Sequence, residues 1–357
     1  MDAKYQKFFL GANSCKGFES HFSDCYAARD GWCAYIIKGG PGTGKSSFMR
    51  HFASHAIQKG EEVILCPCSS DPESLDGVIL PRKKTVLLDG TAPHVVEPSL
   101  PGVSEEIINL GEFWDAEKLK RHREAIIAVS DENKRYHKKA ACYLAAAGQL
   151  LRDRVRLARG CTDIQACEQY AQRLGKTLLQ SKGGKGKEWV RFLQGVTPLG
   201  VVNFSDTLKS FYKNRVIICD PYGAAASVIL SELREYALNA GYEIITVKNA
   251  FLPDELIDHI LIPELSLGIM TESKAMELGG EERRIHARRF TDITRIHAFR
   301  SRLTFDKRAA RELIGAACES IAEAKAVHDK LEKYYISAMD HRALTAFAEK
   351  FVKEKLY

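Results

Sequence analysis

A glycine-rich loop between an apolar segment and a helical pattern constrains this chain more than any other feature of its sequence. The loop, Gly39-Gly40-Pro41-Gly42-Thr43-Gly44-Lys45-Ser46, matches G-x-x-x-x-G-K-[ST] at every fixed position. Residues 34–38 before it are apolar and partly β-branched, which predicts a buried strand. From Ser47 onwards, apolar side chains recur every three or four positions, which predicts a helix. Strand, loop and helix therefore follow one another in the order that a phosphate-binding loop requires.

The residue types in this loop point to a nucleotide with bound magnesium. Glycines let successive backbone N–H groups surround a phosphate at the positive end of the following helix. Lys45 would neutralise the β- and γ-phosphates, and the Ser46 hydroxyl would bind Mg²⁺. We expect ATP, because no Asn/Thr-Lys-x-Asp motif for reading a guanine base is present. The predicted nucleotide-binding residues are Gly39, Gly40, Pro41, Gly42, Thr43, Gly44, Lys45, Ser46 and Ser47.

A second apolar segment, 84–88, ends at Asp89. We expect Asp89 to be the other Mg²⁺ ligand, and we expect both Asp89 and Lys45 to be catalytic residues. No carboxylate follows Asp89 directly, whereas hydrolytic enzymes with this loop often have a Glu there. Asp71 is the candidate base, and the alternative is that it only caps a helix beginning at Pro72. His94 or Thr91 could sense the phosphate, or His94 could only satisfy a turn.

The second half of the chain repeats the first at an offset of 180 to 183 residues. The loop equivalent runs from Asp220 to Ser227, and Ala225 and Ala226 stand where the first copy has Lys45 and Ser46. Without the lysine and the hydroxyl, and with the charge of Asp220, this copy should bind triphosphate poorly. No acidic residue replaces Asp89 in the apolar segment 267–271. The second half therefore reads as a degenerate copy that regulates or completes the first.

The fold expected from these patterns is α/β, with two tandem P-loop NTPase-like domains built on parallel sheets and a helical hairpin appended to each. Residues 1–180 form the first domain, 181–188 a Gly- and Lys-rich linker, and 189–357 the degenerate domain. Long amphipathic patterns over 117–159 and 313–338 predict the helical extensions. We expect these to pack on each other or on a protein partner.

Charge and composition leave several partner classes open. The chain has 357 residues, a net charge of +6 and 45% hydrophobic residues, and it lacks the long apolar run of a membrane span. Seven arginines lie between Arg283 and Arg302. They could form a solvated face, bind RNA or another polyanion, or supply one arginine to the γ-phosphate of the first copy. Ten scattered cysteines without a CxxC pair indicate reduced thiols, and we expect a cytoplasmic protein without membrane contact.

With these motifs the sequence resembles a bacterial family of duplicated P-loop proteins described as ATP-binding proteins, ATPases or nucleotide kinases. The resemblance covers nearly the whole chain and depends on the glycine loop, on Asp71-Pro72-Glu73-Ser74-Leu75-Asp76-Gly77 and above all on Asp89-Gly90-Thr91-Ala92-Pro93-His94. It implies ATP binding. Members often keep a Gly-Lys-Ser loop in the second half, and this chain departs from them there, which puts a second nucleotide site in doubt.

Three functions are compatible with these observations. The favoured one is a Mg²⁺-dependent ATPase whose hydrolysis in the first half drives a rearrangement between the halves or acts on a partner. A small-molecule or nucleotide kinase is the alternative, because the Glu after Asp89 is missing and a Leu-Asp-Gly string resembles that of adenylate kinases. The third is a binding module that switches with nucleotide and turns over little.

Overall fold

The computed structural model describes residues 5–272 and 282–356. Six of the strands in the first half form one sheet, in the order β1-β5-β6-β7-β4-β8, and β2 and β3 form a separate hairpin. Strands form at 33–38 and 85–89, where the apolar segments 34–38 and 84–88 predict them. The strands are β1 (Gln6–Lys7), β2 (Gly11–Ser14), β3 (Gly17–Ser20), β4 (Cys33–Lys38), β5 (Ile64–Pro67), β6 (Leu75–Leu80), β7 (Thr85–Asp89) and β8 (Glu105–Asn109).

The second half repeats this topology strand for strand. Its six-stranded sheet has the order β16-β12-β15-β14-β13-β9. Read from the other edge, this is the order of the first sheet, with β9 in the place of β1, β13 of β5, β14 of β6, β15 of β7, β12 of β4 and β16 of β8. The duplication read from the sequence is thus matched by two sheets of the same connectivity. The strands are β9 (Lys187–Arg191), β10 (Gln194–Thr197), β11 (Gly200–Asn203), β12 (Asn214–Cys219), β13 (Glu243–Lys248), β14 (Ile257–Ile262), β15 (Leu267–Thr271) and β16 (Arg283–His286).

Each sheet is mixed, which corrects the expectation of parallel sheets. Strand β6 runs antiparallel to both of its neighbours, and β14 does the same in the second sheet. The helix expected from Pro72 is also absent from this part of the structure. Instead, Ser74 N donates to Asp71 O across a tight turn (2.8 Å), and the next six residues form the fully buried β6. An Asp-Pro pair begins turns as readily as helices. Here the residues after the turn form a strand because they are buried between two neighbouring strands.

In the part of the chain that the structure describes, every helix except α5 (Ser205–Phe211) has a counterpart in the other half. The helices are α1 (Lys45–Gln58), α2 (Ala116–Arg121), α3 (Arg123–Arg159), α4 (Ile164–Leu178), α5 (Ser205–Phe211), α6 (Ala224–Asn239), α7 (Ile293–Ala298), α8 (Arg300–Ala338) and α9 (His341–Leu356). The long helices α3 and α8 pack antiparallel, since Asn133 near the start of α3 donates to Ala324 O of α8 (2.7 Å), while Asp153 near its end pairs with Arg302 (2.7 Å). No helix among the described residues is both long enough and apolar enough to cross a bilayer.

The helical extensions are exchanged between the halves. Helix α4 follows the first sheet in sequence, yet its buried face packs with α6 and β12 of the second half. Helix α9 follows the second sheet, and its buried residues Leu344, Phe351 and Val352 pack with α1 of the first half. The predicted extensions thus contact each other and the opposite sheet. The prediction of a hairpin in each extension is wrong, because each predicted segment is mainly one long helix, α3 or α8. Contacts cross the predicted boundary between residues 180 and 189, and β9 begins at Lys187, inside the predicted linker.

An approximate two-fold axis relates the halves at their junction. Phe9 and Phe192, which occupy the same position in the two copies, exchange backbone hydrogen bonds of 2.8 and 2.9 Å. The bridges Trp114 to Met339 and Thr162 to Thr291 form another such pair of equivalent contacts. This symmetry means that α8 and α9 complete the first half in the same way that α3 and α4 complete the second.

Candidate functional site

The glycine loop has a backbone that only its glycines adopt without strain. Gly42 and Gly44 have φ of 66° and 87°, in the left-handed region that favours glycine. Gly44 is the residue before α1, so the loop delivers its amides to the N-terminal end of that helix. The Thr43 hydroxyl donates to Gly40 O (2.8 Å) and closes the loop on itself. The loop thus has the shape expected of an anion-binding backbone.

Lys45 and Asp89 meet beside this loop, as the sequence predicts. Lys45 Nζ donates to the carbonyls of Gly39 (3.0 Å) and Gly40 (2.8 Å) and lies 3.6 Å from Asp89 Oδ2. Both side chains are nearly buried, at 12% and 11% exposed, so water screens this pair less than it would screen a surface pair. The parallel pairing of β4 with β7 produces the encounter, because both strands end at the same edge of the sheet.

Asp89 is oriented by the residues that follow it. Its Oδ1 accepts from Thr91 N (2.9 Å) and from the Thr91 hydroxyl (2.5 Å), which leaves Oδ2 facing Lys45. The backbone carbonyl of Asp89 contacts His94 Nδ1 (2.9 Å). His94 is buried, and its Nε2 lies 3.5 Å from Asp76 Oδ2. Burial alone would lower the pKa of His94, but the hydrogen bond to Asp76 and the negative charges of Asp76 and Asp89 outweigh it and raise the pKa.

Ser46 and Asp71 both accept hydrogen bonds from neighbouring segments of the chain. The Ser46 hydroxyl accepts a hydrogen bond from Leu75 N (2.9 Å), which ties the start of α1 to β6. Asp71 caps its own turn, accepting from Glu73 N (3.3 Å) and from the Ser74 hydroxyl (2.8 Å), and does not cap a helix. Both residues line the same cavity as the loop. The proposed role of Asp71 as a base stays a prediction.

The cavity over the loop has a volume of about 1300 Å³ and is closed by helices from both halves. Helix α8 contacts the loop directly, since a Cβ on Gly42 would lie 2.9 Å from the Glu332 carbonyl, and one on Gly40 would lie 2.5 Å from the Tyr335 ring. The Glu332 carboxylate pairs with His328 (3.5 Å), and this pair, with the charge of Lys325 and the nearby backbone of Gly42, lowers the pKa of Glu332. A helix of the second half therefore lies against the glycine loop of the first.

Further side chains of the long helices face the loop across the cavity. Lys325 of α8 lies 3.5 Å from Asp71, which joins the predicted base to the helix of the other half. His137 of α3 has its pKa lowered by burial and by neighbouring His328. None of these helix residues could be found from sequence, because nothing in an amphipathic pattern shows which sheet a distant helix will cover. Asp76 was visible only as part of a Leu-Asp-Gly string.

In the second half, Asp220 occupies the degenerate loop. Its carboxylate accepts from the backbone amides of Tyr222 (2.9 Å), Ala225 (2.8 Å) and Ala226 (3.0 Å). Gly223 has the left-handed conformation of Gly44, with φ of 78°. The second loop therefore has a backbone shape similar to that of the first, but its amides donate to Asp220. The sequence predicts that Asp220 repels phosphate, and the structure adds that this carboxylate accepts hydrogen bonds from three amides of its own loop.

The arginine cluster lies far from the glycine loop. Arg284 pairs with Glu272, and Arg302 with Asp153 (2.7 Å). Arg302 and Glu332 are at opposite ends of α8, about 45 Å apart at 1.5 Å per residue. None of the seven arginines lines the cavity. The structure therefore does not bring them to the site within one chain, and a solvated face or a polyanion surface remains as the interpretation.

Comparison with known proteins gave no match for this chain, whether with family models, with curated proteins or with solved structures.

Proposed function

We propose that the first half binds ATP with Mg²⁺ and hydrolyses it, and that the second half is a non-binding copy that regulates the first. The observation that carries the proposal is the meeting of the loop amides, Lys45 and Asp89 at the floor of one large cavity. Helix N-terminal amides and an ammonium group are the donors that a triphosphate requires. The second loop lacks both the lysine and free amides.

The residues beside the loop fit Mg²⁺, because they offer the oxygen ligands that this ion prefers. The Ser46 hydroxyl and Asp89 Oδ2 would hold the ion together with phosphate oxygens. Bound Mg²⁺ would neutralise negative charge that develops on the transferring phosphoryl group. Lys45 would do the same from the other side, and Thr91 would keep the Asp89 carboxylate in its orientation.

A kinase is the second candidate, favoured by the size and lining of the cavity. At about 1300 Å³ it exceeds the roughly 300–1,000 Å³ of ordinary small-molecule sites, which leaves room for an acceptor beside the nucleotide. Lys325 and His328 of α8 and His137 of α3 line this extra space. A switch with little turnover is the third candidate, since α8 contacts the loop at Gly40 and Gly42 and a nucleotide bound there would act on this helix.

The test is release of ADP from ATP by the purified chain, with and without candidate acceptors. Release without acceptor that is lost in Lys45→Ala supports the ATPase. Release that requires an acceptor supports the kinase, and tight binding with negligible release supports the switch. Lys213→Ala is the matched control, because Lys213 is exposed and does not line the cavity, so it should behave as the natural chain does. Failure of the natural chain to retain ATP with Mg²⁺ would refute all three.

A further inference from the structure

Three buried side chains beside the glycine loop form a cluster that the proposed ATP site does not fully use. They are Asp76 of β6, Asp89 at the end of β7 and His94 in the loop after it, and one potential ligand atom from each lies within 4.8 Å of the others. All three side chains are nearly buried, at 11%, 11% and 5% exposed. Two buried carboxylates are stabilised by positive charge nearby, and of the two Lys45 pairs only with Asp89.

The ring of His94 is fixed in the orientation of a metal ligand. Its Nδ1 lies 2.9 Å from the carbonyl oxygen of Asp89, and since a carbonyl only accepts, Nδ1 carries the proton. Nε2 faces the carboxylate of Asp76, 3.5 Å away, so a metal ion bound there would take the place of the proton in this contact. The ring of Phe22 stacks on the imidazole at 4.1 Å and holds its plane. Histidine ligands of metals typically donate their other nitrogen to a backbone carbonyl in this way.

The carboxylates of Asp76 and Asp89 also accept hydrogen bonds from neighbouring residues. Asp89 accepts from the amide and the hydroxyl of Thr91. Asp76 accepts from the thiol of the buried Cys68. Asp76 and Asp89 are thus each held by a hydrogen bond from a residue outside the cluster, and His94 is held by the backbone carbonyl of Asp89. Such supporting bonds distinguish a built metal site from an accidental group of acids.

We propose that Asp76, Asp89 and His94 bind a resident divalent metal of the Mn²⁺, Fe²⁺, Co²⁺ or Zn²⁺ class, before and independently of nucleotide. An imidazole nitrogen with two carboxylates suits these ions, whereas Mg²⁺ prefers oxygen ligands throughout. Because Asp89 is shared with the Mg²⁺ position beside the loop, the metal would stand next to the phosphate chain. Only this last point depends on the proposed function, and binding of the metal itself does not.

The experiment is a titration of the nucleotide-free full chain with Mn²⁺, followed by loss of the free-ion EPR signal. We expect one Mn²⁺ per chain, displaced by an equal amount of Zn²⁺ but only by a large excess of Mg²⁺. Affinity should fall at least tenfold in His94→Ala and in Asp76→Asn, and should be unchanged in His297→Ala, an exposed histidine outside the cavity. Pulsed EPR of the natural chain should show ¹⁴N coupling from one imidazole, a readout that needs no variant to fold.

Lys45→Ala separates this proposal from the proposed function, because it should lose ATP and keep Mn²⁺. Absence of Mn²⁺ binding, absence of ¹⁴N coupling, or equal displacement by Mg²⁺ and Zn²⁺ would overturn the proposal. In those cases His94 is a protonated partner of Asp76 and nothing more. Neither result depends on whether the chain binds or hydrolyses ATP.

Discussion

Replacement of Phe351 by Ala should destabilise the first half of the molecule, although Phe351 lies near the end of the second. Its ring is 4% exposed and packs on Tyr35 of β4, Phe48 and Phe52 of α1, with ring centres 4.9, 5.2 and 5.9 Å away. Removal of a buried Phe costs about 3–5 kcal/mol, the transfer and cavity costs combined. We expect the upper part of this range, because the aromatic neighbours cannot collapse into the space without losing their mutual contacts.

Hydrogen exchange measured by mass spectrometry assigns the loss to one sheet and does not require two-state unfolding. Amides of residues 33–38 in the first sheet should exchange about a thousandfold faster in Phe351→Ala, since a loss of about 4 kcal/mol corresponds to nearly three factors of ten. Amides of 214–219 in the second sheet should change far less. Phe305→Ala, on an α8 side chain that is 55% exposed, is the control and should alter neither. A loss confined to the second sheet would refute the exchange of helices.

Two further outcomes are expected. Asp220→Ala should lower the free energy of unfolding by about 2–3 kcal/mol in denaturant titrations, because three loop amides lose a charged acceptor, and a change below about 0.5 kcal/mol would show that those bonds are not made. His259 is buried with a pKa lowered by burial to about 3, so the unfolded chain binds its proton first as the pH falls below 6.5. This residue should therefore remove stability between pH 6.5 and 3, by at most about 5 kcal/mol, and His259→Gln should remove that part of the slope. Neighbouring Asp258, whose pKa burial raises to about 6, has the opposite slope and is present in both proteins, so only the difference between the two curves tests His259.

Local sequence patterns predicted the elements that surround the loop. The strand before it, the helix after it and the strand ending at Asp89 all form where apolar periodicity places them. The repeat predicted two sheets of equal connectivity, because insertions between the copies are small. The sequence also predicted the long helices, because apolar side chains that recur every three or four residues over a long segment are typical of a helix.

The features that the sequence patterns did not predict have a common physical cause. The turn at Asp71 and the direction of β6 depend on tertiary pairing on both sides of the strand, which a local Asp-Pro signal does not encode. The exchange of α4 and α9 depends on which of two similar sheets each helix covers, and both sheets offer an apolar face to an amphipathic helix. Glu332, Lys325 and Asp76 therefore entered the site only with the structure.

The measurement that tests the account most directly is the stoichiometry of ATP binding in the presence of Mg²⁺. Equilibrium titration of the natural chain should give one ATP per chain, because Asp220 fills the second loop. Lys45→Ala should give none, and Asp220→Ala should still give one, bound at the first loop. Two molecules per chain, or one that persists after Lys45→Ala, would place nucleotide outside the glycine loop of the first half and contradict the account.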